Sequence, residues 1–326
     1  MEQIKQHNIT WGIIGCGDVA EVKSGPAFQK CEGSNLLAVM RRNSEKAADF
    51  AKRHNVPLFY DDASKLMDNP EIDSIYVATP PSSHLDYALK VLALDKNLYL
   101  EKPMVISVDE ALALKVAAGK SKGKLVVAHY RRKLPMYLKI KELIKDNTIG
   151  QVQFVDLKYL RAHQPDTNWR LDVSVSGGGY FHDIAPHQID MMYHLFGDYL
   201  HAKGFGAYSQ TDKSISPAVN GIIHFKNNVQ FRGLWSFNVP KHLEEDTCFI
   251  YGSEGLLSFS FFGNEIRITS NKKNEVFNFS QPKHIQQPFI QETVNYFLGK
   301  SNNPCNVEEG VEVIKIMDAF TNNIND

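Results

Sequence analysis

Apolar and polar positions alternate in two different ways along the chain, and the change falls near residue 128. Before it, short continuous apolar runs are separated by stretches with helical spacing, the pattern of buried parallel strands joined by helices. Strands are expected at Ile9–Ile14, Leu36–Met40, Ser74–Ala78, Asn97–Leu100 and Leu125–Ala128, with helices at Ser44–His54, Ala63–Met67, Ser83–Leu94 and Val108–Ser121. Asn43 or Ser44 can cap the first of these helices, and Ser107 or Asp109 the last. Beyond a helix near Leu134–Asp146, apolar residues alternate singly, as in antiparallel strands with one buried face. Such strands are expected at Gln151–Leu160, His201–Ser209, Ala218–Phe225, Val229–Phe237, Asp246–Gly252 and Gly255–Phe261. Helices at Ile285–Leu298 and Glu308–Thr321 close the chain. The pattern predicts an α/β domain over residues 1–128 and an α+β domain with a large, mostly antiparallel sheet over 129–326.

Parallel strands joined by right-handed crossovers place their carboxyl ends on one side of the sheet, where ligands of such sheets bind. Candidate chemistry is therefore sought just after residues 14, 40, 78 and 100. After the first strand comes Gly15-Cys16-Gly17-Asp18-Val19-Ala20, followed by a helix expected through Phe28. This is the strand, glycine turn and helix of a dinucleotide site: Gly15 permits the tight turn, Gly17 lets backbone approach a diphosphate, and Ala20 keeps helix and strand close. The first N–H groups of the helix face the phosphate charge.

After the second strand, Arg41, Arg42 and Ser44 stand where an NAD-preferring site usually carries an acid, and no acid is present. Guanidinium groups pair well with phosphate oxygens, so NADP is the expected cofactor, with NAD the alternative. The segment Thr79-Pro80-Pro81-Ser82-Ser83-His84 stops a strand and holds an extended wall beside the cofactor, to which Thr79, Pro80, Ser82 and His84 are expected to contribute. Glu101-Lys102-Pro103 ends another strand; the proline restricts the Lys102 backbone while its ammonium projects to bind a substrate oxygen and exchange a proton. Glu101 and Lys102 are placed at the cofactor edge.

In the second half, Gly177-Gly178-Gly179 precedes a helix expected from Phe181 to Phe196. Asp183 and His187 are four apart and share one helix face, with Asp190 a turn further on. Pro186 suits only a first turn, which places Asp183 and His187 near the helix start, where an imidazole tends to stay neutral and can act as a general base. Asp183 either orients that base or caps the helix. Trp169, Arg170, Tyr130 and Arg131 are candidates for the substrate pocket, with Tyr159 and His163 further guesses. His182, Asp183 and His187 have ligand-type spacing, but no third cluster accompanies them and no metal is expected.

The bulk numbers are those of an ordinary soluble protein: 326 residues, 43% hydrophobic, net charge −1. Nothing in them favours nucleic acid or a membrane surface. The four cysteines, Cys16, Cys31, Cys248 and Cys305, have neither a paired spacing nor a zinc spacing and read as reduced thiols of a cytoplasmic protein.

The glycine turn, the Ala78-Thr79-Pro80-Pro81-Ser82-Ser83-His84 segment, Glu101-Lys102-Pro103 and the run Gly177 to Asp190 together resemble the glucose–fructose oxidoreductase / inositol dehydrogenase (Gfo/Idh/MocA) family. The resemblance covers most of the chain. It implies a Rossmann domain followed by an α+β domain, NAD(P)-dependent redox chemistry on sugars or polyols, and a homodimer or homotetramer formed through the open face of the second sheet. Family members often carry asparagine where Pro81 stands, so one possible ribose contact is missing here. The expected reaction moves a hydride between a nicotinamide and a secondary alcohol or carbonyl. Lys102 binds the reacting oxygen, His187 exchanges its proton and Asp183 orients His187. Three alternatives share the fold: a non-catalytic NAD(P)-binding sensor or regulator, an NAD-dependent glycoside hydrolase, and a dihydrodiol or xylose dehydrogenase-like enzyme.

Overall fold

The computed structural model describes residues 8–162, 169–207, 216–271 and 274–321. They form two compact units, residues 1–131 with 282–311, and residues 132–281 with 312–326. The sequence pattern breaks close to the first of these crossings. It gave no sign that residues 282–311, expected with the second domain, lie with the first.

The first unit is a six-stranded parallel sheet built from β1 (Ile9–Ile14), β2 (Ser34–Met40), β3 (Leu58–Tyr60), β4 (Ser74–Val77), β5 (Asn97–Leu100) and β6 (Leu125–Val127), in the order β3-β2-β1-β4-β5-β6. β3 was not expected. At three residues, with Phe59 47% exposed, it is an edge strand too short and too wet to stand out by pattern. The connecting helices are α1 (Gly25–Phe28), α2 (Ser44–His54), α3 (Ala63–Met67), α4 (His84–Ala93) and α5 (Val108–Lys120). Caps set their starts, since Asn43, Asp62 and Ser107 each accept a hydrogen bond from a first-turn N–H. The central strands are apolar on both faces. Trp11, Phe28, Tyr76 and Tyr99 are fully buried and linked in one cluster by ring contacts, each contributing roughly 1.5–3 kcal/mol by leaving water.

The second unit begins with α6 (Pro135–Lys145) and β7 (Val152–Ala162), followed by α7 (Val173–Ser176) and α8 (Gly179–Phe196). The strands β8 (Tyr199–Ala207), β9 (Ala218–Phe225), β10 (Gln230–Val239), β11 (Glu245–Gly252), β12 (Gly255–Phe259), β13 (Glu265–Ser270) and β14 (Asn274–Asn278) complete an eight-stranded sheet ordered β14-β13-β12-β11-β7-β10-β9-β8. Among the described residues of this sheet, only the β7–β10 pair is parallel. β13 and β14 are additions to the expected set, and the end of the strand expected to reach Ser209 lies outside the described residues. On the inner face, Trp235 Nε1 donates to Gln188 Oε1 of α8 over 2.6 Å, and the Phe181 ring meets Trp235 edge-on.

The remaining helices are α9 (Gln287–Phe297) and α10 (Val307–Thr321). Within the first unit, the segment between them covers the free edge of β6. Val127 N donates to Cys305 O over 3.0 Å and Asn303 Nδ2 to Leu125 O over 2.8 Å. Among the described residues no helix is long and apolar enough to cross a membrane.

Candidate active site

At the end of β1 the backbone turns at Gly15, whose φ is +94° and whose missing Cβ would lie 2.9 Å from the Ala78 carbonyl. No L side chain fits that backbone or that gap. Gly17 has open space where a Cβ would stand. The coil that follows starts there, with Glu21 N donating to Gly17 O, and passes through a wider π-type turn at Ala20–Ser24 before α1. Asp18 and Val19 lie in this opening turn, and Ala20 is fully buried against the sheet.

A cleft of about 360 Å³ opens at these strand ends, lined by Gly15, Gly17, Arg41, Arg42, Thr79 and Pro80 among the expected residues. Asn43, expected only as a helix cap, also lines it, as do Lys46 and Tyr87, for which the sequence suggests no role. Open space over Gly17 beside guanidinium and ammonium groups fits the diphosphate of a dinucleotide. Ser44 stands at the first turn of α2, where Asn43, not Ser44, supplies the cap. Burial pushes the Cys16 thiol up to about 11, which leaves it unreactive within this turn. Ser83 Oγ donates to Thr79 Oγ1 over 2.7 Å, fixing the wall that also carries Ser82.

Two expected cofactor residues have other employment. His84 is buried, with Nδ1 2.9 Å from Pro103 O and Nε2 2.8 Å from Thr79 O, so it ties two loops together. Burial holds its imidazole below its ordinary range. Glu101 is 5% exposed, and its oxygens accept from Tyr76, Gln286 and the Lys102 N–H. Lys102 itself stands at the strand end as expected, ahead of a cis peptide to Pro103. Tyr130 and Arg131 are buried, with the Arg131 guanidinium 5.5 Å from the Tyr130 ring centre.

In the second unit the three glycines act as a shaped turn. Gly177 ends α7 at φ +81°, and Gly179 opens α8 at φ +77°. A Cβ on Gly178 would collide with the His182 ring at 2.1 Å. Since α8 starts at Gly179, Pro186 lies inside the helix rather than in its first turn. Asp183 therefore caps nothing, and His187 sits two turns in, beyond the reach of the end-of-helix field. The proline removes one hydrogen bond, to the His182 carbonyl, and the helix continues because its remaining buried face packs on the sheet.

Asp183 and His187 share a face as expected. Arg170 Nε donates to Asp183 Oδ2 over 2.7 Å, and its guanidinium lies 4.8 Å from the Trp169 ring centre. Those two candidates are thus joined to α8. Asp190 pairs with Arg132, whose Nε and Nη2 both donate to it, and both side chains are 1% exposed. This ion pair anchors α8. Phe262 packs edge-on against His187 at 6.1 Å, and its ring meets Tyr159 tilted at 5.3 Å. Its turn is held by Asp246, which accepts from Phe261 N and Phe262 N over 2.8 Å each. No pattern near Phe262 marks it, because the contact is made across the sheet. His163 lies outside the described residues.

Residues 9–129 match the oxidoreductase family with an NAD-binding Rossmann fold, and residues 137–258 match the GFO/IDH/MocA C-terminal domain. The chain belongs to the GFO/IDH/MocA family. This oxidoreductase is 49% identical over 321 residues to Oxidoreductase P35 of Formosa agariphila, covering 97% of this chain and 99% of that one. It is 28% identical over 196 residues to the scyllo-inositol 2-dehydrogenase (NADP(+)) of Bacillus subtilis, covering 59% of this chain and 53% of that one. Its fold is shared with a levoglucosan dehydrogenase solved with NADH and levoglucosan, at a TM-score of 0.82 and 22% identity over 96% of both chains. The oxidoreductase is thus an NAD(P)-dependent enzyme with a parallel Rossmann sheet followed by a mostly antiparallel one.

Proposed function

We propose that this enzyme prefers NADP(H) and moves a hydride to or from a secondary alcohol or carbonyl carbon of a sugar- or polyol-like molecule. The observation that carries the coenzyme preference is the lining of the cleft after β2, where Arg41, Arg42 and Lys46 stand together and, among the described residues, no carboxylate lines it. A 2′-phosphate finds donors there, whereas the ribose hydroxyls of NAD would lack an acidic acceptor. The relatives' names support the substrate class.

Bound coenzyme supplies or accepts the hydride. Lys102 holds the reacting oxygen by its ammonium and offsets negative charge as the C–H bond breaks. A ring nitrogen of His187 takes the hydroxyl proton in oxidation and returns it in reduction. Asp183, held by Arg170, receives a neighbouring hydroxyl or steadies the imidazole. Arg41 and Arg42 bind the coenzyme's phosphate, and Gly17 lets the diphosphate lie on bare backbone.

The test is a turnover screen of levoglucosan, scyllo-inositol and related diols with NADP⁺ and NAD⁺, with Lys102→Ala and His187→Ala alongside. Turnover favouring NADP⁺, and strongly lowered but still measurable in both variants, is expected. Preference for NAD⁺ would remove Arg41 and Arg42 from the coenzyme argument, and full activity of either variant would remove that residue from the chemistry.

We further propose that the outward face of the second sheet is covered by a second copy of the chain. Phe205 and Ile222, each 59% exposed, stand on that face with Phe154 and Leu234 and alternate with Lys203, Arg232 and Asp156. An apolar patch carrying both charge signs suits a twofold partner. Ile222→Glu should halve the mass measured by light scattering, and an unchanged mass would count against this face.

A further inference from the structure

Glu101 is a carboxylate with almost no access to water, one residue before Lys102. Burying a charge in this way is costly unless hydrogen bonds replace its hydration. Three do. Tyr76 Oη donates to Oε1 over 2.5 Å, Gln286 Nε2 donates to the same oxygen over 2.6 Å, and the Lys102 N–H donates to Oε2 over 3.1 Å.

Each partner is itself held. Ser24 Oγ, in the coil that follows the glycine turn, donates to Tyr76 Oη over 3.2 Å. Tyr99 Oη donates to Gln286 Oε1 over 3.0 Å, which fixes the orientation of that amide. Tyr76 is fully buried, and burial together with the Glu101 charge raises its phenol well above 10, so it stays a donor. Gln286 is 1% exposed and comes from the far end of the chain, just before α9. On the other side of Lys102, the Pro103 carbonyl faces His84 Nδ1 at 2.9 Å. The backbone that carries Lys102 is therefore clamped before and after the lysine.

We propose that Gln286 and Tyr76 are positioning residues for Lys102, acting through Glu101, so that a C-terminal segment completes the catalytic strand end of the first unit. This rests on the reading of Lys102 as the group that binds the reacting oxygen. A carboxylate that has lost one grip can rotate and release the Lys102 N–H. Displacements of about 1 Å in such a group typically cost on the order of a hundredfold in rate.

The test compares Gln286→Ala and Tyr76→Phe in the wild-type and Lys102→Ala backgrounds, with the best substrate of the screen above. In wild type each should lower kcat by roughly ten- to a hundredfold, with the Kd for NADP⁺ within about twofold. In the Lys102→Ala background neither should lower kcat further. Hydrogen exchange at the Lys102 amide, followed by mass spectrometry without substrate, should speed up in both variants. Tyr76→Phe removes one oxygen and keeps the stacking on Tyr99, so the comparison survives if Gln286→Ala does not fold. Unchanged exchange at Lys102, or losses that multiply fully in the Lys102→Ala background, would overturn the proposal. Full activity of Lys102→Ala alone would instead overturn the reading of Lys102.

Discussion

Arg170 Nε lies 2.7 Å from Asp183 Oδ2, so the carboxylate one helical turn before His187 is joined to a cation from the segment preceding the glycine turn. The pair is partly exposed, with side chains 32% and 16% accessible, and screening keeps its contribution to stability small. Its importance is geometric. Arg170→Ala should raise KM by about tenfold while leaving the melting temperature nearly unchanged, and Asp183→Asn should lower kcat by ten- to a hundredfold. Steady-state kinetics beside thermal melts separate the two; a large loss of stability in Arg170→Ala would contradict this account.

Replacing Arg41 and Arg42 together by Ala should weaken NADP⁺ by roughly ten- to a hundredfold and leave NAD⁺ within a few-fold. Fluorescence titration with each reduced coenzyme reads this directly. Equal losses for both coenzymes would mean that the arginines shape the cleft without reading the phosphate.

The Arg132–Asp190 pair is different because neither member reaches water. Removing one member takes away the opposite charge the other is buried against, which typically costs about 3–5 kcal/mol. Arg132→Ala should therefore lower the urea midpoint sharply, far more than Arg170→Ala does. Comparable midpoints for the two variants would show that the buried pair is dispensable.

Burial pushes the His182 imidazole down to about 4, and burial with Arg132 nearby pushes His194 to about 3. Both folded values lie below the 6.5 of a free imidazole, so the unfolded chain binds these protons first. Stability fully present above about pH 6.5 should be lost progressively as pH falls towards 4. Melting temperatures across that window should drop, and the drop should be shallower in His182→Gln. A flat profile in the wild-type protein would show that the ring is not held neutral.

Much of this site is legible in the sequence because its signals are local. The glycine turn, the lysine before Pro103 and the Asp183–His187 spacing each lie within a few residues, and backbone geometry alone relates them. What was not legible came from distance. Gln286 reaches Glu101 across 185 positions, and Phe262 reaches His187 across the sheet, so neither has a neighbourhood that marks it. The start of α8 was misjudged for another reason. Pro186 normally forbids a helix interior, and here tertiary packing outweighs that preference. β3 and β14 escaped because these edge strands are short and bury no residue, and β13 lies next to that edge.

The strip that seals β6 has a practical outcome for anyone dividing this gene. A fragment stopped after Ala128 would lose Asn303 and Cys305 and expose the strand's unpaired amides, inviting edge-to-edge aggregation. A soluble coenzyme-binding cassette should instead be assembled from residues 1–131 spliced to 282–311, and chimeras with other enzymes should exchange both pieces at once.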